Sequence, residues 1–381
     1  MGLFIAGSRV VSGDTVLVDG WVQVANGRIA RVGSGPLPAG ATADRRGAIV
    51  VPGFVDLHVH GGGGASFDSG AAPDVETVVR CHRQHGTTTM VASLVSAARG
   101  RLLDLVGGLA PLVEDGTVAG LHLEGPWLSG EHAGAHDPVL LRPPDPAEVQ
   151  AVLGIPGSPV RVVTMAPELP GALAAVEAVA AAGAVVALGH TDATYEQTRR
   201  AVRAGARLGT HLFNAMRPLH HREPGPVLAL LEDPRVTVEL IADGVHVHPS
   251  VVQLVVERAG PGRVALVTDA MAAAGAWDGD YRLGALDVVV RDRVARLRGR
   301  DVIAGSTLTM DSAFRFAVRC GASLAEAAAM TSATPAAVLG RPDIGSIETG
   351  RAADLVLLDD ELHLQAVMSA GRWVTDEQGT R

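Results

Sequence analysis

Over residues 4–32 apolar and polar positions alternate in short runs, broken at Gly13-Asp14, Gly20 and Asn26-Gly27, which is the pattern of hairpins joined by tight turns. The far end is patterned in the same way, since Gly350-Arg-Ala-Ala-Asp-Leu-Val-Leu-Leu-Asp, Ala366-Val-Met and Gly371-Arg-Trp-Val read as strands. The ends of a domain tend to lie close together, so the two β-rich ends are expected to meet as one small β-sandwich domain, residues 1–51 plus 344–381.

Between them the pattern changes. Eight apolar, β-rich runs, at 50–59, 87–93, 118–124, 160–166, 184–190, 208–211, 236–242 and 264–269, alternate with alanine-rich helical stretches such as 173–182, 194–204 and 250–259. Gly183, Gly205 and Gly260 stand where those helices should stop. Near-continuous apolar strands separated by helices are parallel strands covered on both faces. Eight of them predict an α/β fold, a (β/α)8 TIM-like barrel over 52–343, in preference to a doubly wound sheet. Two tail helices, 311–320 and 323–331, lead back to the β-domain.

Composition then removes several chemistries. The 381 residues include 32 basic side chains, all arginine. Without lysine there is no Schiff-base amine, no phosphate-loop lysine and no carbamylated-lysine metal bridge. Net charge is −9 with scattered arginines, which argues against a nucleic-acid partner. Cys81 and Cys320 form no C-x-x-C pair and read as reduced thiols. With no signal-like start and no stretch approaching a membrane span, the expected location is cytoplasmic.

The reactive residues fall at the ends of the predicted strands. His58-Val59-His60 ends the first run, Glu124 the third, His190 the fifth, His211 the sixth and Asp269 the eighth. In a barrel those ends share one mouth, so the six side chains form a candidate metal site. His58 and His60, two apart on a strand, share a face. Imidazole and carboxylate without thiolate suit zinc, iron(II) or manganese. Asp269, whose ordinary alternative is a helix N-cap, is placed to take a proton from a water at the metal and return it to a leaving group. His82 and His85 read as helix-end histidines interacting with terminal carbonyls, and His122 as a supporting or packing residue. His246 reads as a substrate contact, His248 is left open, and Gly61–Gly64 reads as a lid hinge.

Pro52-Gly-Phe-Val-Asp-Leu-His-Val-His-Gly and Gly350-Arg-Ala-Ala-Asp-Leu-Val resemble the metal-dependent amidohydrolase superfamily. Leu121-His-Leu-Glu-Gly-Pro-Trp, Gly134-Ala-His, Leu188-Gly-His-Thr-Asp-Ala, Thr210-His-Leu-Phe-Asn-Ala-Met, Arg222-Glu-Pro-Gly, Ala242-Asp-Gly-Val-His and Val267-Thr-Asp-Ala-Met narrow the resemblance to its N-acetylglucosamine-6-phosphate deacetylase family. The resemblance implies a divalent metal on Glu124, His190 and His211, with a second ion at His58 and His60 bridged by Glu124, and Asp269 as acid and base. It implies that Ala135 and His136 touch the sugar, that Asn214, Ala215 and Arg222 hold the phosphate, and that His246 and Leu308 line the substrate. It also implies a homodimer in which Arg222 reaches the neighbouring site. The substrate would be N-acetylglucosamine 6-phosphate, in amino-sugar catabolism and cell-wall recycling, with its galactosamine epimer as the alternative.

Overall fold

The computed structural model describes residues 2–374. The eight strands expected in the middle of the chain are Phe54–Val59, Thr87–Leu94, Gly120–Glu124, Val160–Met165, Val185–Leu188, Leu208–Gly209, Thr237–Ile241 and Val264–Val267, hydrogen-bonded side by side in chain order. All their mutual pairings are parallel. The ring closes between last and first strand through a parallel bridge from Val59 to Ala270, with the Asp269 N–H donating to the His58 carbonyl at 2.9 Å. Within this seam the fully buried Asp56 carboxylate accepts from the Thr268 hydroxyl at 2.6 Å and the Thr268 N–H at 3.2 Å. Burial pushes its pKa up to about 7, and those hydrogen bonds only partly counteract it.

The helices start and stop where side chains satisfy their ends. Thr194 and Gln197 form a reciprocal capping box ahead of Tyr195–Ala204, and Gly205 ends it. His248 is the N-cap of Pro249–Ala259, its Nδ1 accepting from the Ser250 N–H. Ser323 caps Leu324–Ala328.

One predicted strand is divided. The run at 50–59 splits at Pro52 and Gly53, so Arg45–Pro52 pairs in a different sheet from Phe54–Val59. Proline offers no N–H to a continuing ladder, and the backbone at Gly53 passes so close to Thr88 that an added Cβ would lie 2.3 Å from its hydroxyl. The chain crosses between sheets at that point.

The second sheet has seven strands, in the order Arg372–Trp373, Leu364–Ser369, Leu355–Leu358, Arg45–Pro52, Leu3–Ser12, Thr15–Ala25, Arg28–Ser34. Both chain ends therefore contribute to it, while residues 1 and 375–381 of the expected β-domain lie outside the described residues. The inner segments of its central strands, Ile49–Val51 and Leu355–Leu358, are continuously apolar because both faces are covered. Val50, Leu355 and Leu357 point to the sheet's own core with Ile5, Val22 and Met368, whereas Ile49, Val51, Val356 and Leu358 pack against the barrel.

A three-stranded antiparallel sheet, Gly279–Leu283, Leu286–Arg291 and Val294–Leu297, follows the eighth barrel strand. The strand pattern predicted none of it. The signal was present: Leu-Asp-Val-Val-Val-Arg precedes an Asp292-Arg293 turn in which both residues have positive φ, 50° and 62°. No helix among the described residues is long and apolar enough to cross a membrane.

Candidate metal centre and active site

His190, His211 and Asp269 each lie just past a strand end and adopt left-handed backbone conformations, with φ of 46°, 25° and 47°. Such conformations cost about 1–3 kcal/mol each and persist where the surroundings dictate them. Here they turn three side chains inward at the barrel mouth, where they meet His58, His60 and Glu124. Glu124 Oε1 is 3.1 Å from His190 Nε2, 3.0 Å from His211 Nε2 and 3.4 Å from His58 Nε2. Its Oε2 is 3.1 Å from His60 Nε2 and 3.2 Å from His136 Nε2. Asp269 Oδ1 approaches His58 and His60 at 3.5 and 3.4 Å, and the two imidazole Nε2 atoms are 3.0 Å apart. All six expected residues are brought together and buried.

The protonation pattern shows what this cluster requires. His190 Nδ1 donates to the His132 carbonyl at 2.9 Å, so a neutral His190 turns an Nε2 lone pair toward a carboxylate oxygen. His58 Nδ1 donates likewise to Glu239 Oε2 at 3.3 Å. Acceptors facing acceptors at about 3 Å need positive charge between them. In a metal-free cluster that charge must come from protons: burial opposes charging His60, but Asp269 and Glu124 outweigh it and raise its pKa to about 9. His58 is raised well above the usual range against the same burial penalty, by Glu124 and Asp269. Burial also acts to raise the Glu124 and Asp269 carboxyls, yet the surrounding imidazoles, His58 foremost, hold both below their ordinary range. Ligand contacts of 3.0–3.5 Å match a shell of donors around one ion with bonds of about 2.1 Å, whose tetrahedral edges are ~3.4 Å. Three overlapping sets have donor atoms close enough to hold an ion: His58, His60 and Asp269; His58, Glu124 and His211; Glu124, His136 and His190.

His136 behaves differently from the other histidines around Glu124. Its Nδ1 accepts from the Ser96 N–H at 3.2 Å, so Nε2 carries the proton and donates to Glu124. Burial, opposed by Glu124, lowers its pKa to about 4 and keeps the ring neutral. His122 packs at 4.5 Å under the His58 ring with both nitrogens engaged, on Ser93 and Thr164, and so supports the site without reaching it.

The cluster opens into a cavity of about 460 Å³. His60, Glu124, Ala135, His136, His190, His211, Asn214, Ala215, His246 and Asp269 line it. The Asp243 carboxylate accepts from His246 Nδ1 at 2.7 Å, fixing the ring. Although Asp243 is largely buried, which raises a carboxyl pKa, its bond and charge interaction with His246 bring it below the usual range. A larger void of about 990 Å³ adjoins the alanine-rich 325–337 segment and the seven-stranded sheet, but no histidine lines it, so the chemistry belongs to the smaller cavity.

Leu308 packs with the barrel core, its N–H on the Ser306 hydroxyl, while Gly305 and Ile303 line the cavity. Arg222 is exposed and does not line this cavity. His82 reaches the Gly61 carbonyl at 2.9 Å, not its own helix end, and His85 pairs with Asp311 at 3.3 Å. Gly61–Gly64 is no hinge: the N–H groups of Gly61, Gly63 and Gly64 donate to carbonyls of 270–274, and a Cβ on Gly62 would sit 2.8 Å from His82 Nε2. Sequence reasoning missed Glu239, a lone acidic residue inside the apolar run 236–242, and the wall residues Arg296 and Asp301 on and beside the unforeseen sheet.

The family model for the amidohydrolase family matches residues 49–374. The chain belongs to the amidohydrolase family. Within it, this amidohydrolase is 50% identical to N-acetyl-D-glucosamine-6-phosphate deacetylase from Mycobacterium smegmatis, solved as a point mutant with N-acetyl-D-glucosamine-6-phosphate. The TM-score is 0.96, over 98% of this chain and 100% of that one. It is 38% identical to the N-acetylgalactosamine-6-phosphate deacetylase of Escherichia coli O157:H7, over 96% of this chain and 97% of the relative. It is 34% identical to the N-acetylglucosamine-6-phosphate deacetylase of Lysinibacillus sphaericus, over 98% and 97% respectively. These relatives place the amidohydrolase in the N-acetylglucosamine-6-phosphate deacetylase branch.

Proposed function

We propose that this amidohydrolase hydrolyses the acetamide of N-acetylglucosamine 6-phosphate to glucosamine 6-phosphate and acetate. The observation that carries the reading is the buried donor cluster at the barrel mouth, in a chain 50% identical to an enzyme solved with that sugar phosphate. Glu124, His190 and His211 hold a divalent metal, zinc first, with iron or manganese as alternatives, and His58 and His60 offer places for a second ion. Such a metal supplies Lewis acidity to an acetyl carbonyl and lowers the pKa of a water. Asp269, facing the same space, takes the water's proton and delivers it to the amine nitrogen, which leaves poorly unless protonated. His136, its Nε2 proton held by Glu124, lines the sugar pocket beside Ala135, and His246, held by Asp243, lines the substrate.

The Asn214-Ala215 segment lies toward the phosphate. Arg222, exposed on its own subunit, supplies the guanidinium fork to the neighbouring site of a homodimer. A phosphosugar substrate and two free cysteines suit the cytoplasm.

The 38% identical galactosamine relative makes the epimer the specific competitor. Elemental analysis of purified protein, with paired deacetylation assays on the two N-acetylhexosamine 6-phosphates, tests the reading. The expected result is bound divalent metal and a higher kcat/KM for the glucosamine substrate. Full activity without divalent metal, or none on either sugar, overturns it.

A further inference from the structure

Glu239 has no part in the proposed reaction, yet it is among the most deeply buried charged groups of the barrel, with 0% exposure. It sits on Thr237–Ile241, a strand that contributes none of the predicted ligands. Its Oε2 accepts from His58 Nδ1 and from the His211 backbone N–H, both at 3.3 Å, while Oε1 has no partner among the described residues. A fully buried carboxylate is costly unless its charge is answered, and an apolar residue would fill the same space more cheaply.

The geometry around Glu124 indicates what answers it. Among the imidazoles that face Glu124, His190 has its Nδ1 proton anchored by the His132 carbonyl, while His60 Nδ1 and His211 Nδ1 have no partner among the described residues. His58 is anchored by Glu239. A carboxylate on the far nitrogen holds the tautomer that leaves Nε2 free to ligate, orients the ring and increases its basicity. His58 Nε2 is 3.0 Å from His60 Nε2 and 3.5 Å from Asp269 Oδ1. With His60 and Asp269 it makes a donor set without His190, and at 3.4 Å from Glu124 Oε1 it also joins that set to the rest of the cluster.

We propose that Glu239 is a positioning residue which, acting through His58, gives this chain a built second ion site at His58 and His60. The proposal rests on the reading of the cluster as a metal centre and deepens it. A merely structural Glu239 would influence folding without separating the two ions.

The test uses full-length protein stripped by chelator and titrated with cobalt(II), read by visible absorption and by elemental analysis after gel filtration. Wild type is expected to take up two equivalents. In Glu239→Met, which removes both charge and acceptor, the second equivalent should bind about 10–100-fold more weakly while the first is retained. Glu239→Gln, which keeps an acceptor for His58 Nδ1, should show a smaller loss, on the order of tenfold or less. If the methionine variant does not fold, the glutamine variant carries the comparison. Unchanged second-ion affinity in the folded variant, or uptake of a single equivalent by wild type, overturns the proposal. A wild type that binds two equivalents but deacetylates neither sugar refutes the functional reading alone.

Discussion

Asp269 has a backbone in the left-handed region, its N–H is on His58, and its carboxylate is 3.4–3.5 Å from two histidine nitrogens. A residue so constrained is suited to moving one proton between two fixed points. Asp269→Asn should lower kcat by about 10²–10⁴-fold, the usual range for loss of a positioned acid or base, while elemental analysis still finds metal at Glu124, His190 and His211. Wild-type turnover in that variant would remove Asp269 from the mechanism. At this scale the convergence of the six residues was legible because histidine and carboxylate at strand ends are conspicuous in one dimension. The partners that set their tautomers were not. Nothing in the spacing links Ser96 to His136, or Glu239 to His58, because each pair meets only after strands far apart in sequence come together.

Within the helix Ala72–Gln84, His82 Nε2 donates to the Gly61 carbonyl and so ties the helix to the Gly61–Gly64 run. Burial, which the Gly61 bond only partly offsets, lowers the His82 pKa to about 4 from 6.5. The folded state thus holds the neutral ring where an unfolded chain would protonate it. The contribution is full above pH 6.5 and is lost as pH falls toward 4, amounting to about 2 kcal/mol between pH 7 and 5. His82→Asn should be less stable at pH 7 but should lose less stability on going to pH 5, as read by denaturant unfolding at both pH values. An equal acid loss in both proteins would show that His82 is not the group responsible. Barrel strands and capped helices were readable from the chain because apolar runs and caps are local signals. The three-stranded sheet after Val264–Val267 was obscured by the expectation that a helix follows each barrel strand.

For the whole molecule, the decisive question is whether the cavity is complete in one chain. Arg296 lines it but is paired with Asp301 at 2.5 Å, and Arg222 stays outside. If Arg222 serves the neighbouring subunit, Arg222→Ala should raise KM for the phosphorylated sugar by about 10–100-fold, the loss of a charge-assisted phosphate contact. Mixed dimers of Arg222→Ala with Asp269→Asn should then regain activity, because one of the two sites would contain Asp269 and receive Arg222. Size-exclusion chromatography with the assay on mixed, refolded subunits checks this; no recovery from a demonstrated heterodimer means that Arg222 does not act in trans.

Periodicity and residue type were enough to specify the barrel, the meeting of the two β-rich chain ends, and the convergence of six residues at the barrel mouth; that the ends form a single seven-stranded sheet rather than a sandwich was not legible from them. The first three follow from the alternation of faces along strands and from the convergence of parallel strand ends, which need no coordinates. Packing between distant segments set the rest: that the run at 50–59 serves two sheets, that Gly61–Gly64 is hydrogen-bonded to 270–274, that Leu308 packs with the core, and that Glu239 and His136 complete the surroundings of the histidine and carboxylate cluster. These depend on register and on the path of loops in space. A linear pattern records which face a residue takes, but not which neighbour it will meet there.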